Sequence, residues 1–286
     1  MKRVLIIGAL TFVGYHLVNK MLMEEVEVYG LDFADLEGMS KINEEKLFLI
    51  GRNALFTYSA IRDEMGWKRV DEELFDAVYF CLCEPNQQNG FRNERIILQY
   101  LKRVSHICER KKIKLNLLSS IEMGNVEEES ENKRLFMKIE EEIKKRNLSY
   151  SVFRVPIVYG PWQPSFMVYH QLILSEIIDK ECQLVQREKG TDLLYVEDVC
   201  ECLWERGSDL EKIGVYNLIS GQKKLWEKGI TLLNADDKVK QVTEEESGEV
   251  IDSICIQKST PLEMGLNKQL THLKQYKELY EEQSTC

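Results

Sequence analysis

Short continuous apolar runs alternate with longer, helically spaced segments through the first half of the chain. Residues 4–7 form such a run, and residues 12–23 follow with apolar positions at helical spacing. The same spacing predicts strands at 26–31, 47–50, 77–82, 113–118 and 150–155, and helices at 55–67, 96–108 and 135–146. Strands that are apolar throughout and separated by helices belong to a parallel sheet covered on both faces. Residues 1–155 are therefore expected to form a doubly wound α/β unit.

Beyond Pro156 the pattern loosens. Helices are expected at 167–178, 196–205 and 224–233, with short strands at 183–186, 215–218 and 250–255. Leu262, Leu266, Leu270, Leu273, Tyr276 and Tyr280 give the closing stretch one apolar helical face. Residues 156–286 are read as a smaller C-terminal α/β lobe, interleaved with the first unit and packed at the sheet's C-terminal edge. The acidic stretch 243–248 reads as a solvated spacer.

Charge narrows the range of partners. Lys+Arg 38 against Asp+Glu 48 leaves a net charge of −10, which repels a phosphate backbone and argues against nucleic acid. Eight cysteines without a C-x-x-C spacing point to small buried thiols and a cytoplasmic location. The four histidines, at 16, 106, 170 and 272, are scattered along the sequence and suggest no metal site. Lys2-Arg3 and the apolar stretch behind it resemble a leader, but Gly8, Thr11, Gly14 and His16 interrupt that stretch. It is too short to span a bilayer, so it is read as a buried strand turning into a helix, with no membrane partner expected.

The candidate chemistry begins at that turn. A dinucleotide site needs a glycine where the strand turns, a close backbone approach to the pyrophosphate and a glycine where helix meets strand. Gly8 and Gly14 supply the first and last, with Leu10, Thr11, Phe12 and Val13 between them at the helix N-terminus. Thr11 stands where a glycine is usual, so its side chain either points away or bonds a phosphate. Asp32, 18 residues after Gly14, ends the second strand, where a carboxylate accepts hydrogen bonds from an adenosine ribose. It would repel a 2′-phosphate, so the expected cofactor is NAD rather than NADP, on a Rossmann-type sheet.

Several segments in order then carry a resemblance. Gly8-Ala9-Leu10-Thr11-Phe12-Val13-Gly14-Tyr15-His16-Leu17 resembles G-A-T-G-F-I-G-S-H-L, and Ser119-Ser120 resembles a serine pair at the end of the fifth strand. Phe153-Arg154-Val155-Pro156-Ile157-Val158-Tyr159-Gly160-Pro161 is similar to L-R-x-x-N-V-Y-G-P, and Asp192-Leu193-Leu194-Tyr195-Val196-Glu197-Asp198-Val199 to D-F-I-Y-V-D-D-V. These are motifs of the extended short-chain dehydrogenase/reductase family, the NAD-dependent nucleotide-sugar epimerases and dehydratases. The resemblance implies a small-molecule substrate between the lobes. Dimerisation through the family's two-helix packing stays open, because the helix at 135–146 is highly charged.

The family's proton transfer uses a tyrosine and a lysine four residues apart on the helix after the fifth strand. Lys138 best matches the lysine, for ribose contact and catalysis, which puts Arg134 at the tyrosine position. No tyrosine occurs from residue 125 to 148, so a shift of register does not restore one. Ser120 matches the family's catalytic Ser/Thr and Glu122 a dehydratase acid, whereas Ile157 and Thr191 replace a substrate-binding asparagine and arginine. Gly51-Arg52-Asn53 replaces G-D-[IL], removing an acid that faces adenine. Lys138 has a second reading, as part of a solvated helix face with i,i+4 pairs. Three functional readings stay open: an NAD-binding epimerase/dehydratase with a nonstandard active site, a cofactor-binding regulator or scaffold with a protein partner, and a fold whose nucleotide site Thr11 and Arg52 have closed.

Overall fold

The computed structural model describes residues 2–33, 39–82, 94–121, 131–179, 192–209, 211–238, 251–256 and 259–284. Strands β1 (Arg3–Ile7), β2 (Glu27–Asp32), β3 (Phe56–Ala60), β4 (Ala77–Cys81), β5 (Lys114–Ser120) and β6 (Tyr150–Val155) are joined by later strands β9 (Gly214–Ile219) and β10 (Asp252–Cys255). The sheet order is β10-β9-β6-β5-β4-β1-β2-β3, and all its pairings are parallel. Two-residue alternation sorts β1 into two cores: Val4 and Ile6 join one cluster, Leu5 and Ile7 the other. Helices α1 (Phe12–Met23) and α7 (Val196–Gly207) pack on the first face. On the second lie α3 (Glu64–Glu72), α4 (Glu94–Lys111) and α5 (Glu131–Lys144).

Two sequence expectations are corrected at the third strand. Residues 47–50 are not a strand but the last turn of α2 (Lys41–Ile50), which Ser40 caps by accepting from the Asn43 N–H at 3.3 Å. A four-residue apolar run has no period of its own, and the capped segment before it carries the helix through. Likewise the helix expected at 55–67 divides into β3 and α3. Phe56-Thr57-Tyr58 takes the strand, and Asp63 starts α3 by accepting from the Met65 N–H at 2.9 Å.

The second half returns to the same sheet. Strands β9 and β10 extend it beyond β6, while β7 (Ile157–Tyr159) and β8 (Leu193–Tyr195) form a separate parallel pair. Helices α6 (Val168–Ile178), α8 (Leu225–Leu232), α9 (Leu262–Gln275) and α10 (Lys277–Ser284) complete the chain. The expected strand at 183–186 and the acidic stretch 243–248 lie outside the described residues. Among the described residues no helix is long and apolar enough to cross a membrane.

Buried polar groups lock the elements together. Glu140 on α5 receives Arg154 Nε at 3.0 Å and Nη2 at 2.8 Å from β6, and Ser119 Oγ at 2.8 Å from β5. Asp198 on α7 accepts from Thr260 N at 2.6 Å and Oγ1 at 2.7 Å, fixing the approach to α9. Three of the four histidines converge on an aromatic knot around Trp162. Trp162 lies 4.3 Å from His272, 4.7 Å from Tyr276 and 5.9 Å from Tyr15 between ring centres. His272 Nε2 meets Tyr280 Oη at 2.9 Å, the His170 ring stands edge-on to Tyr280, and His16 Nε2 donates to the Pro161 carbonyl at 2.8 Å.

Burial pushes His170 down to about 4 and His272 to about 3, the latter helped by His16, His170 and Lys46 nearby. Folding therefore favours the neutral rings. The unfolded chain takes up protons below its ordinary histidine pKa of about 6.5, where the folded chain does not. We expect stability to be full above about pH 6.5 and to fall as the pH drops towards 4. Urea unfolding at pH 7, 6 and 5 checks this, and His170→Gln makes the loss shallower. At the buried pair, Glu140→Gln alone is expected to cost about 3–5 kcal/mol, because it strands a buried guanidinium. The double change Glu140→Leu, Arg154→Met recovers most of that in the same assay.

Candidate functional site

The strand order reverses between β1 and β4, and ligands in open α/β sheets bind at the carboxyl ends of strands at such a reversal. Gly8 follows β1 there with φ +81°, and its N–H donates to the Leu31 carbonyl at 2.8 Å. A Cβ on Gly8 would lie 2.1 Å from the Cys81 carbonyl oxygen, and one on Gly14 1.9 Å from that of Gly8. The helix thus starts directly against the end of the strand. Thr11 turns its side chain into this turn: Oγ1 accepts from the Gly14 N–H at 3.2 Å and lies 2.7 Å from the Gly8 carbonyl and 3.2 Å from that of Cys81. It is the N-cap of α1, so it neither points away nor extends outward. Phe12 and Val13, both buried, head the helix behind it.

Asp32 ends β2 and is buried, with Oδ2 accepting from the Leu10 N–H at 2.7 Å. The Leu10 carbonyl accepts from Lys46 Nζ at 2.8 Å. Both backbone polar groups of Leu10 are thus engaged within the protein. Sequence reasoning missed Lys46 because the third strand was placed at 47–50. Its signal is the stripe Ile42, Lys46, Ile50, a lysine at an apolar position of the helix.

Arg52 and Asn53 lie elsewhere. They sit in the turn between α2 and β3, at the amino end of the strand. The residue opposite Asp32 at the carboxyl end of β3 is Ala60. Placing the strand too early had moved the position that follows it to 51–53. Arg52 therefore stands away from the carboxyl end of the sheet and does not close the nucleotide site.

Ser120 is the last residue of β5, in register with Val155 and partly exposed. Glu122 and Thr191 lie outside the described residues, and Ile157 is buried at the start of β7. Lys138 is half-exposed on α5 and pairs with Glu94 of α4 at 2.7 Å. Arg134 is exposed on the same helix. The inward residues of α5 are Leu135, Phe136, Ile139, Glu140 and Ile143. The structure therefore brings Gly8, Leu10, Thr11, Phe12, Val13, Gly14 and Asp32 together. It turns Lys138 and Arg134 towards solvent.

The profile of the NAD dependent epimerase/dehydratase family matches residues 4–218. Among solved structures, the chain is similar to the dTDP-glucose 4,6-dehydratase of Bacillus anthracis in complex with NAD, at 16% identity and TM-score 0.74, covering 99% of each chain. It is similar to the UDP-glucuronic acid 4-epimerase of Bacillus cereus in complex with NAD, at 18% identity and TM-score 0.68, covering 96% of this chain and 99% of that one. A third is the UDP-N-acetylglucosamine 4-epimerase of Methanobrevibacter ruminantium in complex with UDP-N-acetylmuramic acid, at 18% identity and TM-score 0.66, covering 95% and 98%. These likenesses show the fold. No curated protein matches the chain.

The Thr11 cap gives a direct test. Thr11→Val keeps the shape and loses the oxygen, so we expect thermal unfolding to report a loss of about 1–2 kcal/mol. Thr11→Ser, which restores the cap, stays near the parent value.

Proposed function

The chain belongs to the NAD dependent epimerase/dehydratase family, and from that premise we propose that it binds NAD at the β1–α1 turn and acts there on a nucleotide sugar or a related small molecule. One observation carries this reading: the tight turn at Gly8, the N-terminus of α1 and the buried Asp32 meet at the sheet's reversal point. Those groups fit the cofactor's parts. The N-terminus of α1 presents a positive dipole end to the pyrophosphate. Asp32 accepts from the adenosine ribose and disfavours a 2′-phosphate. NAD supplies hydride acceptance and return when bound.

The chain's own residues have narrower tasks. Ser120, at the carboxyl end of β5, orients a substrate hydroxyl or carbonyl. Arg134 takes no part as a base, because a guanidinium stays protonated in proteins. Proton transfer therefore falls to a group other than a tyrosine on α5, and Glu122 is the carboxylate with a precedent in the resemblance. Residues 1–155 serve as the cofactor unit and 156–286 as the smaller substrate unit. A cofactor-binding regulator is the second reading, and the inward face of α5 favours it. Of the inward residues among those described, only Glu140 is ionisable, and it is committed to Arg154.

Calorimetric titration of the nucleotide-stripped protein tests the cofactor. NAD is expected to bind at least about tenfold more tightly than NADP, and Asp32→Asn to narrow that gap. Heat from neither nucleotide overturns the reading. Turnover is then sought with UDP- and dTDP-sugars in the NAD-loaded protein, following product by mass and reduced cofactor by absorbance. Tight NAD binding without turnover selects the regulator.

A further inference from the structure

The turn before α1 is held by charge from both sides. Asp32 accepts a hydrogen bond from the Leu10 N–H, and the Lys46 ammonium donates one to the Leu10 carbonyl. Lys46 is only 3% exposed. Taking an ammonium out of water costs several kcal/mol before any compensation. Its place on the helix, one turn from Ile42 and one from Ile50, is one that leucine or methionine would fill without that cost. The chain nevertheless keeps a cation there, beside the glycine turn that ends β1.

The local charge balance gives it a task. Asp32 places a buried carboxylate within the same turn that would receive a diphosphate. A helix N-terminus contributes only about half a positive charge. An ammonium fixed on Leu10, the residue before the Thr11 cap, offsets the carboxylate and leaves the helix end attractive to an anion. The rings of Tyr15 and Trp162, each 5.9 Å from Nζ, hold the cation at that point.

We propose that Lys46 is a positioning residue for the dinucleotide's pyrophosphate, acting through the Leu10 carbonyl and through its charge. The proposal rests on the NAD-binding reading above. It separates two halves of the ligand: the diphosphate depends on Lys46, whereas the adenine and ribose do not.

The test titrates the full chain with ADP-ribose, which carries the diphosphate, and with adenosine, which does not. Lys46→Met is expected to weaken ADP-ribose by about tenfold or more, with adenosine affinity unchanged. Lys46→Arg keeps the charge and is expected to stay within about threefold of the parent. Equal ADP-ribose affinity in parent and Lys46→Met overturns the proposal, and so does an equal loss for both ligands, which marks a merely structural role. A second measurement needs no variant. In the parent protein labelled with nitrogen-15 at lysine Nζ, the Lys46 signal shifts on saturation with ADP-ribose and not with adenosine. An unmoved signal at saturation overturns the proposal even if the variants do not fold. A parent chain that binds neither NAD nor ADP-ribose removes the NAD reading itself, an outcome distinct from NAD binding that ignores Lys46.

Discussion

A side chain on Gly14 would come within 1.9 Å of the carbonyl oxygen that ends the β1 turn, and the organisation of the site follows from that lack of room. Helix α1 starts so close to the strand end that its first turn is capped by groups of the turn itself. Thr11 completes that arrangement with one oxygen shared among three backbone groups. What remains for a ligand is the end of the helix axis, where partial charge accumulates. Asp32 and Lys46 then hold the Leu10 peptide, and through Trp162 the same cation touches the aromatic knot of the later helices.

The remainder of the molecule is tied to this point by buried polar links rather than by apolar contact alone. Glu140, shared between Arg154 and Ser119, sets the rotation of α5 about its axis. That rotation turns Phe136 inward and Lys138 outward. A helix can thus keep its place beside β5 while presenting a different chemistry to the cleft. Asp192 accepts from the Ser220 N–H at 2.8 Å and Asp198 holds Thr260, so the segments leading to α8 and α9 are anchored to α7 and its approach.

Most of the sheet was legible in the sequence because buried parallel strands are uninterrupted apolar runs. Residues 4–7, 26–31, 77–82, 113–118 and 150–155 all read as strands and coincide with strands apart from Val26, Leu82 and Ile113 at their ends. The error at 47–50 arose where an apolar run closed a helix, and it carried the adenine-side position away to Arg52. The glycine turn and Asp32 were legible because their spacing is set by backbone geometry. The inward face of α5 was not, since it depends on which glutamate meets Arg154, and three consecutive glutamates, at 140, 141 and 142, offered that choice. The histidine knot was equally hidden: His16, His170 and His272 meet only through the packing of α1, α6 and α9.

The order of strands also bears on how the chain is made. β6 ends the first stretch of the sheet, but its far side is covered by β9, whose residues come some sixty positions later, and β10 follows later still. During synthesis β6 is therefore an open edge with unpaired backbone groups and fully buried-type side chains such as Val152 and Phe153. An open apolar edge is a template for another chain, and pairing across long sequence separation is slow. The first half of the protein is thus least protected while the ribosome is still at work on the second, and a fragment ending at residue 155 carries that exposed seam permanently.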